Sequence, residues 1–201
     1  MGKLIAIIGA SGTGKTTLAQ TLSKTGAFAT ALEQHQQRPF QSLFKNDSRY
    51  GLPNQIDYLL LRAEQEMELR AVSQTGLTDG GLDLDYHGFT RLFHARGLLT
   101  GPEHDLCRRL YQTLRKLLPL PDIIIRLRTD RETVASRLSA RERINIASAE
   151  DFELFESFLD EWLADVPVQQ IIEADVSEND PQYRRLAPAL LDQIRTKLGK
   201  I

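Results

Sequence analysis

LIAIIGASGTGKT, residues 4–16, is the stretch that decides the fold. Its first half, Leu4 to Ile8, is a short unbroken apolar run, the composition of a strand buried on both faces of a parallel sheet. Its second half, Gly9 to Thr16, has the spacing G-x-x-x-x-G-K-[ST], and the residues that follow, TLAQTLSK, read as a helix. A strand feeding a glycine-rich loop and then a helix is the setting this spacing needs to hold phosphate. The glycines let the backbone come close, and the N–H groups of the loop and helix start solvate phosphate oxygens. Gly9, Ser11, Gly12, Thr13, Gly14, Lys15, Thr16 and Thr17 are therefore the candidate nucleotide-binding residues. Lys15 would neutralise the outer phosphates and the Thr16 hydroxyl would ligate Mg²⁺, so a nucleoside triphosphate and Mg²⁺ are the expected ligands.

Outward from this stretch, strands alternate with helices. A strand is expected over 27–32, a long helix from Pro53 to about Val72 and a poorer strand over 77–79. Helices follow at 85–96 and 103–117, then the clear strand Asp122 to Leu127. Helices near 131–140 and 150–163, a strand over Val168 to Ile172 and a helix over 181–198 complete the chain. In the long helix, Ile56, Leu59, Leu60, Ala63 and Met67 supply the 3.6 period, and the stripe ending at Trp162 reads as core packing. Such alternation predicts an α/β fold of three layers, with a parallel sheet of about five strands and helices on both faces. Ligands of such sheets bind at the carboxyl ends of strands, which places Gly9, Glu33 and Asp79 along one rim.

At 201 residues the chain is expected to form a single domain, 1–201. Its 25 basic and 27 acidic residues nearly balance, so neither a nucleic-acid nor a membrane partner is indicated. Cys107 is the only cysteine, which excludes an internal disulfide framework, and His35, His87, His94 and His104 lack metal-ligand spacing. They read as surface or helix-face residues. The apolar run near the N-terminus is too short for a signal peptide or a spanning helix, and the expected location is the cytoplasm.

A phosphate loop does not say what is done with the nucleotide. A GTPase would need N-K-x-D, which the chain lacks, and the run before Asp79 is too polar for the acidic Mg²⁺ strand of a motor ATPase. Arg137, Arg141 and Arg143, just after the strong strand, instead suit an Arg-rich lid near 137–148 that stabilises a transferring phosphoryl group. A solvated basic helix face is the plainer alternative.

With these pieces in order, the chain resembles the deoxynucleoside kinases, in particular the small bacterial deoxyadenosine/deoxyguanosine type. The resemblance rests on GASGTGKT, EQHQQRPF at 33–40, QIDYLLLRAEQ at 55–65, DGGLDLD at 79–85 and IIIRLRTDRETVASRLSARER at 123–143. It implies a P-loop kinase fold, a small-molecule nucleoside substrate and a homodimer. It also implies that Glu33 takes the proton from the 5′-hydroxyl, that Thr16 and Asp79 hold Mg²⁺, and that Gln55 reads the nucleobase beside Arg62 and Asp85. The residues agree: Gln55 and Arg62 lie two helical turns apart on one face, and an acceptor such as Asp85 suits adenine, guanine or cytosine rather than thymine.

Three positions depart from the resemblance. Gly80 stands where the family carries an arginine after the acid, Phe44 where it carries a sugar-binding tyrosine, with Tyr50 close by, and the INIAS stretch lacks the acid expected after the lid arginines. The principal expectation is ATP-dependent phosphorylation of a purine or cytosine deoxynucleoside in nucleotide salvage. The alternatives are a nucleotide-binding regulatory subunit of little or no activity, paired with a paralogue, or a P-loop kinase acting on a different small acceptor such as a nucleoside monophosphate, with Arg38, Arg49 and Arg91 as candidate phosphate ligands.

Overall fold

A computed structural model of the chain describes residues 1–26, 28–31, 38–139, 148–178, 180 and 182–199. Five strands form one parallel sheet: β1 (Leu4–Ile8), β2 (Phe28–Ala31), β3 (Thr75–Asp79), β4 (Ile123–Arg128) and β5 (Ile171–Asp175). Their order is β2-β3-β1-β4-β5, so β1 is central and Ile7 faces Asp79 on one side and Ile125 on the other.

All five residues of β1 are buried, which is why the run carries no polar alternation. Ile5 and Ile7 enter a core built with α1 (Lys15–Thr25) and α9 (Leu186–Leu198). Ala6 and Ile8 enter a second core with α7 (Arg131–Ser139) and α8 (Phe152–Leu163). The expected three-layer α/β architecture is thus observed. A third apolar cluster joins α3 (Gly51–Ala71), α5 (Arg91–Ala95) and α6 (Gly101–Leu117).

Several expected bounds shift. The polar-looking strand extends over Thr75–Asp79 because Gly76 makes room for α3: a β-carbon there would lie 2.9 Å from Leu69 Cβ. The last strand starts later, since Val168–Gln170 closes a 3-10 turn after Pro167 and leaves the pairing to Ile171–Asp175. The last helix also starts later: the Asp180 carboxylate accepts from the backbone N–H of Arg184 and Arg185, holding a turn that delays α9 to Leu186. The helix expected over 85–96 begins earlier and is composite, with α4 (Leu82–Leu84), a π-helical segment over Asp85–Thr90, then α5. A short helix, α2 (Pro39–Asn46), was not expected; Pro39 opens it and no residue in it is buried.

The long helix α3 corrects the amphipathic reading. Leu59 and Ala63 are buried as the period requires, but Leu60 and Met67 are 42% and 51% exposed. The inward face carries Asn54, Gln55, Arg62, Glu66 and Arg70 instead. A helix that buries polar groups must supply each with partners, and the site explains most of them.

Candidate active site

The loop between β1 and α1 is held from within. Thr13 Oγ1 donates to the Ala10 carbonyl at 2.9 Å, and Lys15 Nζ donates to the Gly9 and Ala10 carbonyls, each at 2.9 Å. The first turn of α1 carries no acidic residue, so its N–H groups and the positive end of the helix dipole are left for an anion. From above, α7 packs on Gly12, where a β-carbon would stand 3.1 Å from Leu138 Cγ.

Because β3 lies beside β1, its last residue meets the start of α1. The Thr16 hydroxyl donates to Asp79 Oδ2 at 2.5 Å, and Asp79 is buried. This is a pair of hard oxygen donors next to the phosphate loop. It fits Mg²⁺, which takes one or two protein oxygens and completes its shell with water and phosphate oxygens.

After Asp79 the chain turns sharply. Gly80 and Gly81 both have positive φ, +84° and +131°, and the Gly80 N–H donates to the Ile7 carbonyl at 2.9 Å. The turn delivers Asp85 to the inner face of α3. There Arg62 Nε donates to Asp85 Oδ2 at 2.6 Å, and Gln55 Nε2 donates to the Asp85 backbone carbonyl at 3.0 Å. Thr90 Oγ1, from the π-helical segment, donates to the same carbonyl at 2.9 Å. Gln55, Arg62 and Asp85 are thus brought together. Arg62 also borders the Thr16–Asp79 side, since a β-carbon on Gly80 would lie 3.5 Å from its Nη2.

Beneath this edge lies a buried ionic network absent from the sequence reading. Arg115 of α6 donates to both Asp83 oxygens, at 2.8 and 2.9 Å, and to both Glu66 oxygens, at 2.9 and 2.7 Å. Burial works against the Arg115 charge, yet Asp83 and Glu66 outweigh it and raise its pKa. Burial pushes the Glu66 carboxyl up, with Arg115 opposing. Tyr111 Oη donates to Asp83 at 2.9 Å and lies 3.0 Å from His87 Nε2. His87 in turn stacks on Trp162, with ring centroids 5.0 Å apart, so it is a packed residue rather than a surface one. Burial, then the Arg91 and Arg115 charges, lower its pKa to about 3. The sequence signal was faint: Glu66 follows Arg62 by one helical turn on the same face.

The remaining candidates divide. Glu33, Arg141, Arg143 and His35 lie outside the described residues. Arg137 donates to the backbone carbonyls of Thr13 at 3.1 Å and Val176 at 2.8 Å. Phe44 packs against Phe93 with ring centroids 5.1 Å apart, while Tyr50 closes the 3-10 turn Ser48–Tyr50 before α3. Arg38, Arg49 and Arg91 pair with Asp57, Asp47 and Glu161 respectively. His94 and His104 stack on each other at 4.5 Å, and among the described residues no group of three or more His, Cys, Asp or Glu could hold a metal ion. No described helix is long and apolar enough to cross a membrane.

The deoxynucleoside kinase family model matches residues 5–195 of this chain. The deoxyadenosine kinase of Dictyostelium discoideum is 31% identical over 143 residues, 71% of this chain and 58% of that protein. The deoxyadenosine/deoxycytidine kinase of Bacillus subtilis is 26% identical over 143 residues, 70% of this chain and 66% of that one. The deoxyguanosine kinase of the same bacterium is 28% identical over 175 residues, 85% of this chain and 81% of its own. The chain therefore spans less than two thirds of the first two relatives. Among solved structures, the deoxyadenosine kinase of M. mycoides with bound dATP superposes with a TM-score of 0.77 at 21% identity, covering 94% of this chain and 99% of that one. The same enzyme with bound dCTP gives 0.77 at 20% identity, covering 96% and 99%. At this identity the likeness is one of fold.

Proposed function

Because the chain belongs to the deoxynucleoside kinase family, we propose that it transfers the γ-phosphoryl group of ATP to the 5′-hydroxyl of a purine or cytosine deoxynucleoside, a salvage reaction. The observation that carries this reading is the pairing of two half-sites across the Gly80–Gly81 turn. On one side stand the phosphate loop and the Thr16–Asp79 pair; on the other stand Gln55, Arg62 and Asp85.

Each residue then has a task. The loop N–H groups and Lys15 bind the donor phosphates, and Lys15 exchanges its bonds to the Gly9 and Ala10 carbonyls for phosphate oxygens. Thr16 and Asp79 would hold Mg²⁺, which supplies charge neutralisation at the phosphate oxygens. Glu33, two residues beyond β2 in sequence, accepts the 5′-hydroxyl proton as that oxygen bonds to phosphorus and ADP leaves. Arg141 and Arg143 are the proposed lid cations, while Arg137, which begins the same Arg-rich stretch, is engaged with the Thr13 and Val176 carbonyls. Asp85, oriented by Arg62, accepts from an exocyclic amino group, and Gln55 offers one donor and one acceptor to the base edge. Adenine, guanine and cytosine carry such a group and thymine does not. The named substrates of the relatives, deoxyadenosine, deoxycytidine and deoxyguanosine, support this preference.

The test is a coupled ADP-release assay on the purified protein with Mg²⁺, across deoxynucleosides, ribonucleosides and monophosphates, with Lys15→Ala as control. Turnover on an amino-bearing deoxynucleoside that vanishes in the control is the expected result. Turnover confined to thymidine, or to monophosphates, would overturn the assignment.

A further inference from the structure

The Thr13 carbonyl oxygen accepts hydrogen bonds from two side chains on two different elements: Tyr183 Oη at 3.0 Å and Arg137 Nη1 at 3.1 Å. Arg137 comes from α7, and its other terminal nitrogen donates to the Val176 carbonyl, so it ties the chain after β5 to the phosphate loop. Tyr183 comes from the turn before α9 and is 4% exposed. Its φ is +50°, the only positive value at a non-glycine among the described residues. That backbone region is unfavourable for a bulky L-residue and persists only where the surroundings hold it.

The surroundings do hold it. The Tyr183 N–H donates to the Asp180 carbonyl at 2.9 Å, and Asp180 accepts from Arg184 and Arg185 at 3.0 Å each. Thr21 of α1 donates to the Gln182 carbonyl at 3.1 Å, and the Tyr183 ring lies in the apolar core shared by α1 and α9. The approach to the loop is close enough to fix its composition. A β-carbon on Gly14, whose φ is +97°, would stand 2.0 Å from Tyr183 Oη.

The carbonyl of Thr13 and the N–H of Gly14 belong to one planar trans peptide and point to opposite sides. Fixing the carbonyl toward Tyr183 and Arg137 therefore aims the Gly14 N–H away from both. We propose that Tyr183 is a positioning residue for the phosphate donor: with Arg137, its hydroxyl presets the Thr13–Gly14 peptide so that the Gly14 N–H meets a donor phosphate oxygen. The brace rests on the reading that this loop holds the donor triphosphate. It acts through the loop backbone, with no contact to the donor, and it makes the turn before α9 part of the donor site.

The experiment is calorimetric titration of Mg²⁺·ATP into the unaltered protein and Tyr183→Phe, with KM for the nucleoside and the melting temperature recorded for both. Tyr183→Phe is expected to weaken ATP binding about five- to tenfold, the factor one hydrogen bond commonly carries, while the nucleoside KM and melting temperature stay close to those of the parent. Unchanged ATP affinity in the folded variant would overturn the brace, as would equal weakening for ATP and nucleoside. If Tyr183→Phe does not fold, Asp180→Ala loosens the same turn from outside the core, and the same selective loss for ATP is expected. Absence of ATP binding by the unaltered protein would overturn the donor reading itself, and the brace with it.

Discussion

The Thr16 hydroxyl and the Asp79 carboxylate meet at 2.5 Å, joining the first turn of α1 to the last residue of β3. Neighbouring strands β1 and β3 impose this meeting, because Asp79 sits level with Ile7, two residues before the phosphate loop begins. Asp79→Asn keeps the shape and removes the charge. Turnover is expected to fall by about a hundredfold or more, with the Mg²⁺ concentration for half-activity raised. An unaltered Mg²⁺ dependence would remove Asp79 from the metal site.

The Arg62–Asp85 pair is buried on both sides, each side chain being 6% exposed. Taking away one partner leaves the other charged and enclosed. Arg62→Met is expected to destabilise the protein by about 3–5 kcal/mol in urea unfolding, and Arg62→Met with Asp85→Leu to recover much of that loss. Additive losses in the double variant would show that the two charges do not support each other.

At Gly80 the obstacle to a side chain is the backbone. A β-carbon there meets Leu84 Cδ2 at 3.4 Å and Arg62 Nη2 at 3.5 Å, ordinary contacts, but φ is +84°. Gly80→Ala should therefore cost about 1–2 kcal/mol of stability with little change in packing. Gly80→Arg, the substitution that the resemblance to the family invites, meets the same backbone cost, and its side chain starts against the Arg62 guanidinium. It is expected to lower turnover, and a rise in kcat would contradict this.

His87 gives a pH signature. Its pKa falls from 6.5 unfolded to about 3 folded because burial, then Arg91 and Arg115, disfavour the imidazolium. Between those values the unfolded chain binds a proton that the folded chain refuses, so acidification removes stability, at up to about 1.4 kcal/mol per pH unit. Above pH 6.5 the ring adds no slope. His87→Phe keeps a ring to stack on Trp162 and should lose less stability between pH 6.5 and pH 4 than the parent; parallel curves would refute the assignment.

What the sequence made legible was periodic or local. Leu4–Ile8 is apolar because both faces are covered, and the phosphate loop is contiguous, so both can be read along the chain. Gln55, Arg62 and Asp85 also emerged, since helical spacing and a fixed interval connect them. What stayed hidden depends on distant partners. Leu60 and Met67 match the helical period yet face outward, because α3 turns Glu66 and Arg70 inward to meet Arg115 and the backbone near Pro119. Nothing near Tyr183 announces that it reaches a loop near the start of the chain.

The strand order also governs how the molecule is made. β1 is synthesised before both of its partners, since Ile5 pairs with Leu77 on one side and Ile123 on the other. Every strand pair is parallel, so no local hairpin can nucleate the sheet. Until the chain has grown past Arg128, an apolar segment waits with one edge unpaired. Topologies of such high contact order refold slowly, and the open edge invites association with other chains. The phosphate loop leaves the ribosome before the side chains that shape it, because those that hold Thr13 arrive later, with Arg137 and Tyr183.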